Sequence, residues 1–236
     1  MNLMNRKIDS FFVLLTLTGL LFLLFACDSL GTKDSGTSDS MTDSDGNSYN
    51  TVTIGTQVWM GANLKTTKFS DGTSIRNVKG GLTWSNLSTP AYCWPDNDSV
   101  KYKNVVGALY NWVTVSSGKL CPTGWHVPSK DEFTTLETYL GGYTSGGKLK
   151  GTNVNYWGSP LVGATDDTGF SAYSNGLINS AGSFFSPYTE RSLLWSSSVD
   201  QYGNAFYFQL YFTNTNFDLG TFYGNKTGMG VRCLKN

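Results

Sequence analysis

One stretch in mid-chain decides the fold, Leu120-Cys121-Pro122-Thr123-Gly124-Trp125-His126-Val127-Pro128-Ser129-Lys130-Asp131-Glu132-Phe133. Ser129 followed by Glu132 is the pattern of a capping box, in which the two residues satisfy each other's backbone N–H groups at a helix start. Apolar residues then recur at helical spacing up to a glycine pair typical of a helix end, at Phe133, Leu136, Leu140 and Gly141-Gly142. The pattern predicts a short amphipathic helix, entered through the structural motif Trp125, His126 and Pro128.

The composition favours a loop-rich, β-rich domain and excludes a nucleic-acid partner. The chain has 17 basic and 17 acidic residues and a sequence pI near 6.5, so it lacks the basic face that binding to nucleic acid requires. Charged residues make up only 14% of the chain, whereas glycine (27 residues) and aromatic residues (14%) are abundant. A single domain remains after a leader and a linker are set aside.

The N-terminus has the features of an export signal. Arg6 and Lys7 precede an apolar run over residues 11–25, which is shorter than the roughly 20 residues of a membrane span and typical of a secretory signal. Leu24-Phe25-Ala26-Cys27 resembles a bacterial lipobox, so residues 1–26 are predicted to be a lipoprotein signal peptide and Cys27 the lipidated residue. An ordinary cleaved signal and an uncleaved anchor remain as alternatives, and all three export the domain.

Residues 27–45 are rich in Ser, Gly, Thr and Asp and are predicted to form a flexible tether, followed by the domain at 46–236. Asp43-Ser44-Asp45-Gly46-Asn47 also begins like a calcium loop, but such a loop needs a carboxylate at its twelfth position. That position holds Ile54. The alternative, a polar turn leading into the first strand, is therefore favoured.

A strand near the C-terminus carries the candidate binding surface. Alternation over 205–213 is typical of a half-buried strand, with Phe206, Phe208, Leu210 and Phe212 on the predicted core face. The opposite face carries Tyr207, Gln209 and Tyr211, and we predict that it is a stacking platform. Trp94, in a loop, is the other predicted ligand-binding residue, because aromatic rings bury large areas at modest entropic cost.

Long ordered motifs resemble the Fibrobacter succinogenes major paralogous domain family. They are Asp45-Gly46-Asn47-Ser48-Tyr49, Val52-Thr53-Ile54-Gly55-Thr56-Gln57-Val58-Trp59-Met60, Asn63-Leu64, Tyr92-Cys93-Trp94, Leu109-Tyr110-Asn111-Trp112, Leu120 to Ser129, Gly169-Phe170, Trp195-Ser196-Ser197-Ser198 and Val231-Arg232-Cys233. The resemblance covers essentially the whole domain. It implies an exported, often lipid-anchored envelope protein and does not imply a defined activity.

A weaker similarity links the chain to the formylglycine-generating sulfatase-modifying family. It lies in Trp125 to Phe133 and in Gly230-Val231-Arg232, and it implies an α+β, C-type-lectin-like fold: loop-rich, with small antiparallel sheets, one or two short helices and paired termini. That family uses two cysteines shortly before its terminal Gly-Phe-Arg. Residues 210–230 contain none, so at most the scaffold is shared.

Three cysteines remain if Cys27 is lipidated, and an oxidising envelope favours one disulfide among them. We predict the pair Cys121 and Cys233, because this bridge would join the entrance of the helix to the closing strand that bears Met229, Val231 and Cys233. Cys93 would then be a buried small hydrophobe or a slowly reacting thiol.

An enzymatic mechanism would have to use His126 with a nucleophile in hydrogen-bond reach. The alternative, which we favour, is a histidine held in a turn by backbone hydrogen bonds. Trp94-Pro95-Asp96-Asn97-Asp98 is similar to the calcium triplets of sugar-binding C-type lectins, but it lies earlier in the chain than those triplets do. The sequence therefore predicts no catalytic residue, no metal site and no cofactor.

Together these patterns predict a non-catalytic binding or structural module, with an exported hydrolase or oxidase as the competing class. The expected partners are the membrane, through the anchor at Cys27, and a polysaccharide or envelope protein. The expected location is the bacterial cell envelope at the outer membrane, on its surface or its periplasmic face.

Overall fold

The computed structural model describes residues 39–185, 189–222, 224 and 226–236. Most of the regular structure in these residues is β-strand. The strands are β1 (Ser40–Thr42), β2 (Ser48–Ile54), β3 (Gln57–Met60), β4 (Arg76–Asn77), β5 (Ala91–Cys93), β6 (Leu109–Asn111), β7 (Trp125–His126), β8 (Leu177–Ile178), β9 (Phe184–Phe185), β10 (Arg191–Val199), β11 (Ala205–Tyr211), β12 (Asp218–Phe222), β13 (Gly228–Met229) and β14 (Leu234–Lys235).

The helices are short. They are α1 (Gly81–Ser85), α2 (Ser99–Tyr102), α3 (Trp112–Val115) and α4 (Lys130–Leu140), with 3₁₀ turns at Pro95–Asn97, Tyr143–Leu149 and Val154–Tyr156. Helix α4 is the one predicted from the mid-chain stretch, and Gly141 ends it at φ 110°. The expected loop-rich α+β class is confirmed.

Three sheets organise the described residues. Their strand orders are β1-β2-β3-β14-β7, β10-β11-β12 and β4-β5-β6-β13-β8-β9. The first sheet pairs the N-terminal strands of the domain with the C-terminal strand, as expected. The pairs of these strands are antiparallel, as expected for small antiparallel sheets, except that β4 and β5 run parallel. The connection between β4 and β5 over residues 78–90 contains α1. It has the length that a crossover between two parallel strands requires.

The sheet β10-β11-β12 has buried residues on both faces. On one face Leu194 and Phe208 pack with the apolar stripe of α4, and the rings of Phe133 and Phe208 stack with centroids 5.1 Å apart. On the other face Leu193 and Trp195 belong to a separate core cluster. Two cores therefore share this sheet, which explains why a single amphipathic pattern describes it poorly.

The predicted tether does not extend to Asp45. Ser40–Thr42 form a strand paired with β2, and the side chain of Met41 is buried in the first core cluster. The carboxylate of Asp43 accepts hydrogen bonds from the backbone of Asp45 and Asn47 and from the Tyr49 hydroxyl. These contacts order the last part of the polar segment. They form a polar turn, which is the alternative that we favoured over a calcium loop.

The closing segment is also different from the single strand that we expected. Gly228–Met229 belong to the six-stranded sheet, whereas Leu234–Lys235 belong to the sheet of the termini. Between them Val231 O accepts from Leu64 N. Met229, Val231 and Cys233 are nevertheless all buried in one cluster, so the alternation was correct although the strand is divided.

Candidate functional site

The capping box at the start of α4 forms as predicted. The Ser129 hydroxyl accepts from Glu132 N at 3.2 Å, and Glu132 Oε2 accepts from Ser129 N at 2.7 Å. Partial burial raises the pKa of the Glu132 carboxyl, but hydrogen bonds from Ser129 and His126 outweigh this effect, so the pKa lies below its ordinary value. Glu132 is therefore a carboxylate at neutral pH.

His126 is held by side chains in a strand, not by backbone hydrogen bonds in a turn as predicted. Its Nε2 lies 2.8 Å from Glu132 Oε1, and its Nδ1 lies 2.7 Å from Asn236 Oδ1. The sequence argument missed the double role of Glu132, whose two oxygens serve the cap and the histidine separately. Both ring nitrogens are thus engaged in contacts that join β7 to α4 and to the end of the chain.

The predicted disulfide joins Cys121 to Cys233, with their Cα atoms 6.0 Å apart. It fastens the loop before β7 to the segment before β14. Cys93 is a free, buried thiol in β5, and burial raises its pKa well above the ordinary value. A thiol that stays protonated at neutral pH is a poor nucleophile, which agrees with the expected inert role.

The β11 face, defined here as Tyr207, Gln209 and Tyr211 with their neighbours Arg191 and Asp218, brings the predicted platform residues together. Cross-strand pairing sets Tyr211 opposite Arg191 and Gln209 opposite Asp218. The Arg191 guanidinium lies over the Tyr211 ring at 5.3 Å. All three predicted side chains are partly buried, so the face is less exposed than the alternation alone suggested.

Two details fix the shape of the β11 face. Gly220 lies under the Tyr207 ring, and a Cβ added there would be 2.8 Å from that ring, so only glycine lets the ring lie across β12. The Oε1 atom of Gln209 is buried without a hydrogen-bond partner in the described part of the chain. A buried unpaired amide oxygen costs about 1–3 kcal/mol.

Trp94 is not part of an exposed surface, contrary to its predicted role as a ligand-binding residue. Only 7% of it is exposed, and its ring packs edge-on against Tyr92 in the first core cluster. The following Asp98 caps α2 by accepting from Lys101 N. Within the described ranges no group of three or more His, Cys, Asp or Glu residues is placed to hold a metal ion.

Sequence reasoning missed two buried cations. Lys150 is fully buried, and its ammonium donates to the carbonyls of Val162, Tyr211 and Asn214 at 2.5–3.1 Å. Burial lowers its pKa to about 8. Its position in Gly-Gly-Lys-Leu-Lys carries no signal of burial, because what surrounds it comes from distant loops.

Arg232 is the second buried cation. Its Nε and Nη2 donate to Asn63 Oδ1 at 3.0 and 2.8 Å, Nη1 donates to Phe170 O, and the guanidinium lies 4.0 Å from the Phe170 ring centroid. Val231 and Cys233 are buried in the first core cluster, whereas the Arg232 side chain reaches Phe170 in the second core rather than solvent. Its place in the Gly-Val-Arg motif was the available signal.

Tyr143 is a further surface residue that the sequence did not single out. It is 52% exposed, and its hydroxyl donates to Asp218 Oδ1 at 2.8 Å and accepts from Asn216 Nδ2 at 3.0 Å. Because Asp218 belongs to the β11 face, Tyr143 extends that face toward the loop after α4.

Cys27, the predicted lipidation site, lies outside the described residues. Among residues 39–185, 189–222, 224 and 226–236, no helix has the length and apolar character needed to cross a membrane.

Comparison with known proteins identifies the family but not an activity. No curated protein and no solved structure matches the chain. The model of the Fibrobacter succinogenes major domain matches residues 52–235, which include the mid-chain stretch, both disulfide cysteines and every residue of the β11 face. The chain therefore belongs to the Fibrobacter succinogenes major domain family.

Proposed function

We propose that the chain is a lipid-anchored protein of the bacterial cell envelope that binds polysaccharide, without catalysis, through the β11 face. The anchor rests on the signal-like N-terminus and the lipobox at Cys27. The observation that carries the binding role is the row of Tyr207, Gln209 and Tyr211 on one strand, with Arg191 over the Tyr211 ring.

This combination of groups suits a sugar chain. Tyrosine rings offer flat apolar surface to the C–H faces of pyranose rings, and each also has a polar end. Arg191 and Asp218 add guanidinium and carboxylate groups that can form directional hydrogen bonds with hydroxyls. Gly220 leaves room for the Tyr207 ring to lie across β12.

The test uses the full-length protein in detergent, applied to an array of plant and bacterial polysaccharides and of envelope proteins. Tyr211→Ala is expected to weaken binding about tenfold or more, as for an aromatic residue at the centre of an interface. Tyr202→Ala is the matched control, because Tyr202 is 79% exposed in the turn between β10 and β11 and lies outside the face. Binding of envelope proteins but of no polysaccharide, or equal loss in both variants, would contradict the proposal.

One observation favours an exported enzyme as a second candidate. His126 borders a cavity of about 140 Å³ that Cys121 and Ser197 also line, and a carboxylate orients its imidazole. Against this, Cys121 is part of the disulfide and both ring nitrogens have partners. Loss of turnover of chromogenic esters or glycosides in His126→Gln, with unchanged unfolding, would favour the enzyme. General destabilisation would favour the structural role.

A further inference from the structure

We propose that a pocket next to the β11 face binds a single neutral sugar unit, and this inference rests on the proposed polysaccharide-binding function. The pocket has a volume of about 210 Å³. That is below the roughly 300–1,000 Å³ typical of sites for drug-sized ligands, so its size suits one monosaccharide. Four hydroxyl side chains line it, those of Thr144, Ser145, Thr165 and Thr215.

The buried hydroxyl of Ser145 is the feature that points to a ligand. Its Oγ has no hydrogen-bond partner in the described residues, although the residue is only 6% exposed. A buried polar atom left without a partner is costly and calls for an explanation. A hydroxyl of a bound sugar, which can both donate and accept, would supply the missing partner.

The charges around the pocket favour a neutral ligand. One cationic side chain, Lys148, and one anionic side chain, Asp167, line it. The Lys148 ammonium already donates to Leu140 O at 2.8 Å. Because the pocket lining has one positive and one negative side chain, its net charge favours neither an anionic nor a cationic ligand.

Lys150 holds together the three loops that form the pocket. Its ammonium donates to Val162 O and Asn214 O, which belong to the residues directly before Gly163 and Thr215 of the pocket wall. The backbone adds Gly146 N to Thr215 O at 2.8 Å and Thr165 N to Gly147 O at 3.0 Å. The walls are therefore fixed before a ligand arrives.

The pocket is continuous with the proposed polysaccharide surface. Tyr143 directly precedes Thr144 of the pocket, and its hydroxyl donates to Asp218 of the β11 face. Phe217 N donates to Tyr143 O, which ties the same two segments through the backbone. A sugar chain lying on the β11 face would thus extend toward the pocket past Tyr143.

The experiment measures binding of the methyl glycosides of glucose, galactose, xylose and N-acetylglucosamine to the full-length protein by saturation-transfer NMR. Ser145→Ala and Thr165→Val are each expected to weaken binding about 3- to 10-fold, the effect of one lost hydrogen bond. Ser192→Ala is the matched control. Ser192 Oγ is also buried and unpaired among the described residues, but Ser192 does not line the pocket.

The outcomes separate this inference from the proposed function. If Tyr211→Ala weakens polysaccharide binding but no methyl glycoside binds, or if Ser145→Ala changes affinity no more than Ser192→Ala, the pocket is not a sugar site and the proposed function stands. If inorganic sulfate binds in place of the glycosides, the ligand class is wrong. If neither polysaccharide nor glycoside binds, both proposals fail.

Discussion

Glu132 Oε1 lies 2.8 Å from His126 Nε2, while the other oxygen of the same carboxylate closes the cap of α4. With Glu132 ionised, Nε2 must be the donor. If the imidazole is neutral, Nδ1 carries a lone pair and must accept from the side-chain NH₂ group of Asn236. If it is an imidazolium, Nδ1 carries a proton and donates to the side-chain oxygen of Asn236. One acidic residue thus positions both the helix and the only histidine of the chain.

Glu132→Gln is expected to destabilise the protein by about 1–2 kcal/mol, because the amide has one acceptor oxygen in place of two and carries no charge to pair with His126. Since the pKa of Glu132 is lowered in the folded state, its contribution is present above the ordinary carboxyl pKa and is lost as pH falls through the folded value. The free energy of unfolding in urea should be measured from pH 7 down to acidic pH. The difference in this free energy between the wild type and the variant should become smaller as the pH falls. Glu137→Gln, on the same helix but outside the capping box, is the control for the loss of a carboxylate.

Removal of the disulfide in a Cys121→Ser/Cys233→Ser variant should cost about 4 to 5 kcal/mol in the chain-entropy account, because the bridge spans a sequence separation of 112. Urea unfolding of the variant, and of the wild type with reductant, measures the loss. The Cys93→Ala variant is the control and should keep the reductant sensitivity. Mass mapping of the non-reduced protein that linked Cys93 to either partner would contradict the topology.

Lys150→Met should destabilise the protein by about 2–4 kcal/mol, since three carbonyls lose a charged donor. Burial lowers the lysine pKa from 10.5 to about 8, so the folded state releases this proton before the unfolded state does. The stability that Lys150 confers should therefore rise as pH increases from about 8 to 10.5. The difference in unfolding free energy between wild type and Lys150→Met reports this rise. Lys235→Met, at an exposed position, is the control for the loss of a lysine.

Arg232→Lys should lower the free energy of unfolding by about 2–4 kcal/mol, although the positive charge is kept. The guanidinium reaches Asn63 and Phe170 at once and stacks on the Phe170 ring, and an ammonium reproduces neither the fork nor the stacking. Thermal unfolding measures the loss. Arg76→Lys, at an exposed position, is the control. Equal stability of the wild type and Arg232→Lys would show that the simultaneous contacts of the guanidinium with Asn63 and Phe170 do not contribute to stability.

Much of the local structure could be predicted from short patterns. The capping box and the glycine pair set the two ends of α4, and the alternation over 205–213 located β11. The prediction was wrong for Trp94 and for the end of the tether at Asp45, because neither position carries a local sign of its burial. Trp94 is covered by the first core cluster, and the residues after Ser40 are ordered by pairing with β2.

The sequence by itself determined the family, the α+β class, the helix with its cap and the pairing of Cys121 with Cys233. These depend on local spacing or on the small number of cysteines. Only the tertiary structure decided that Lys150 and Arg232 are buried, that His126 meets Asn236 at the end of the chain, and that hydroxyls from three loops meet in one pocket. The physical reason is that burial and hydrogen-bond partners are set by segments distant in sequence, which no local pattern encodes.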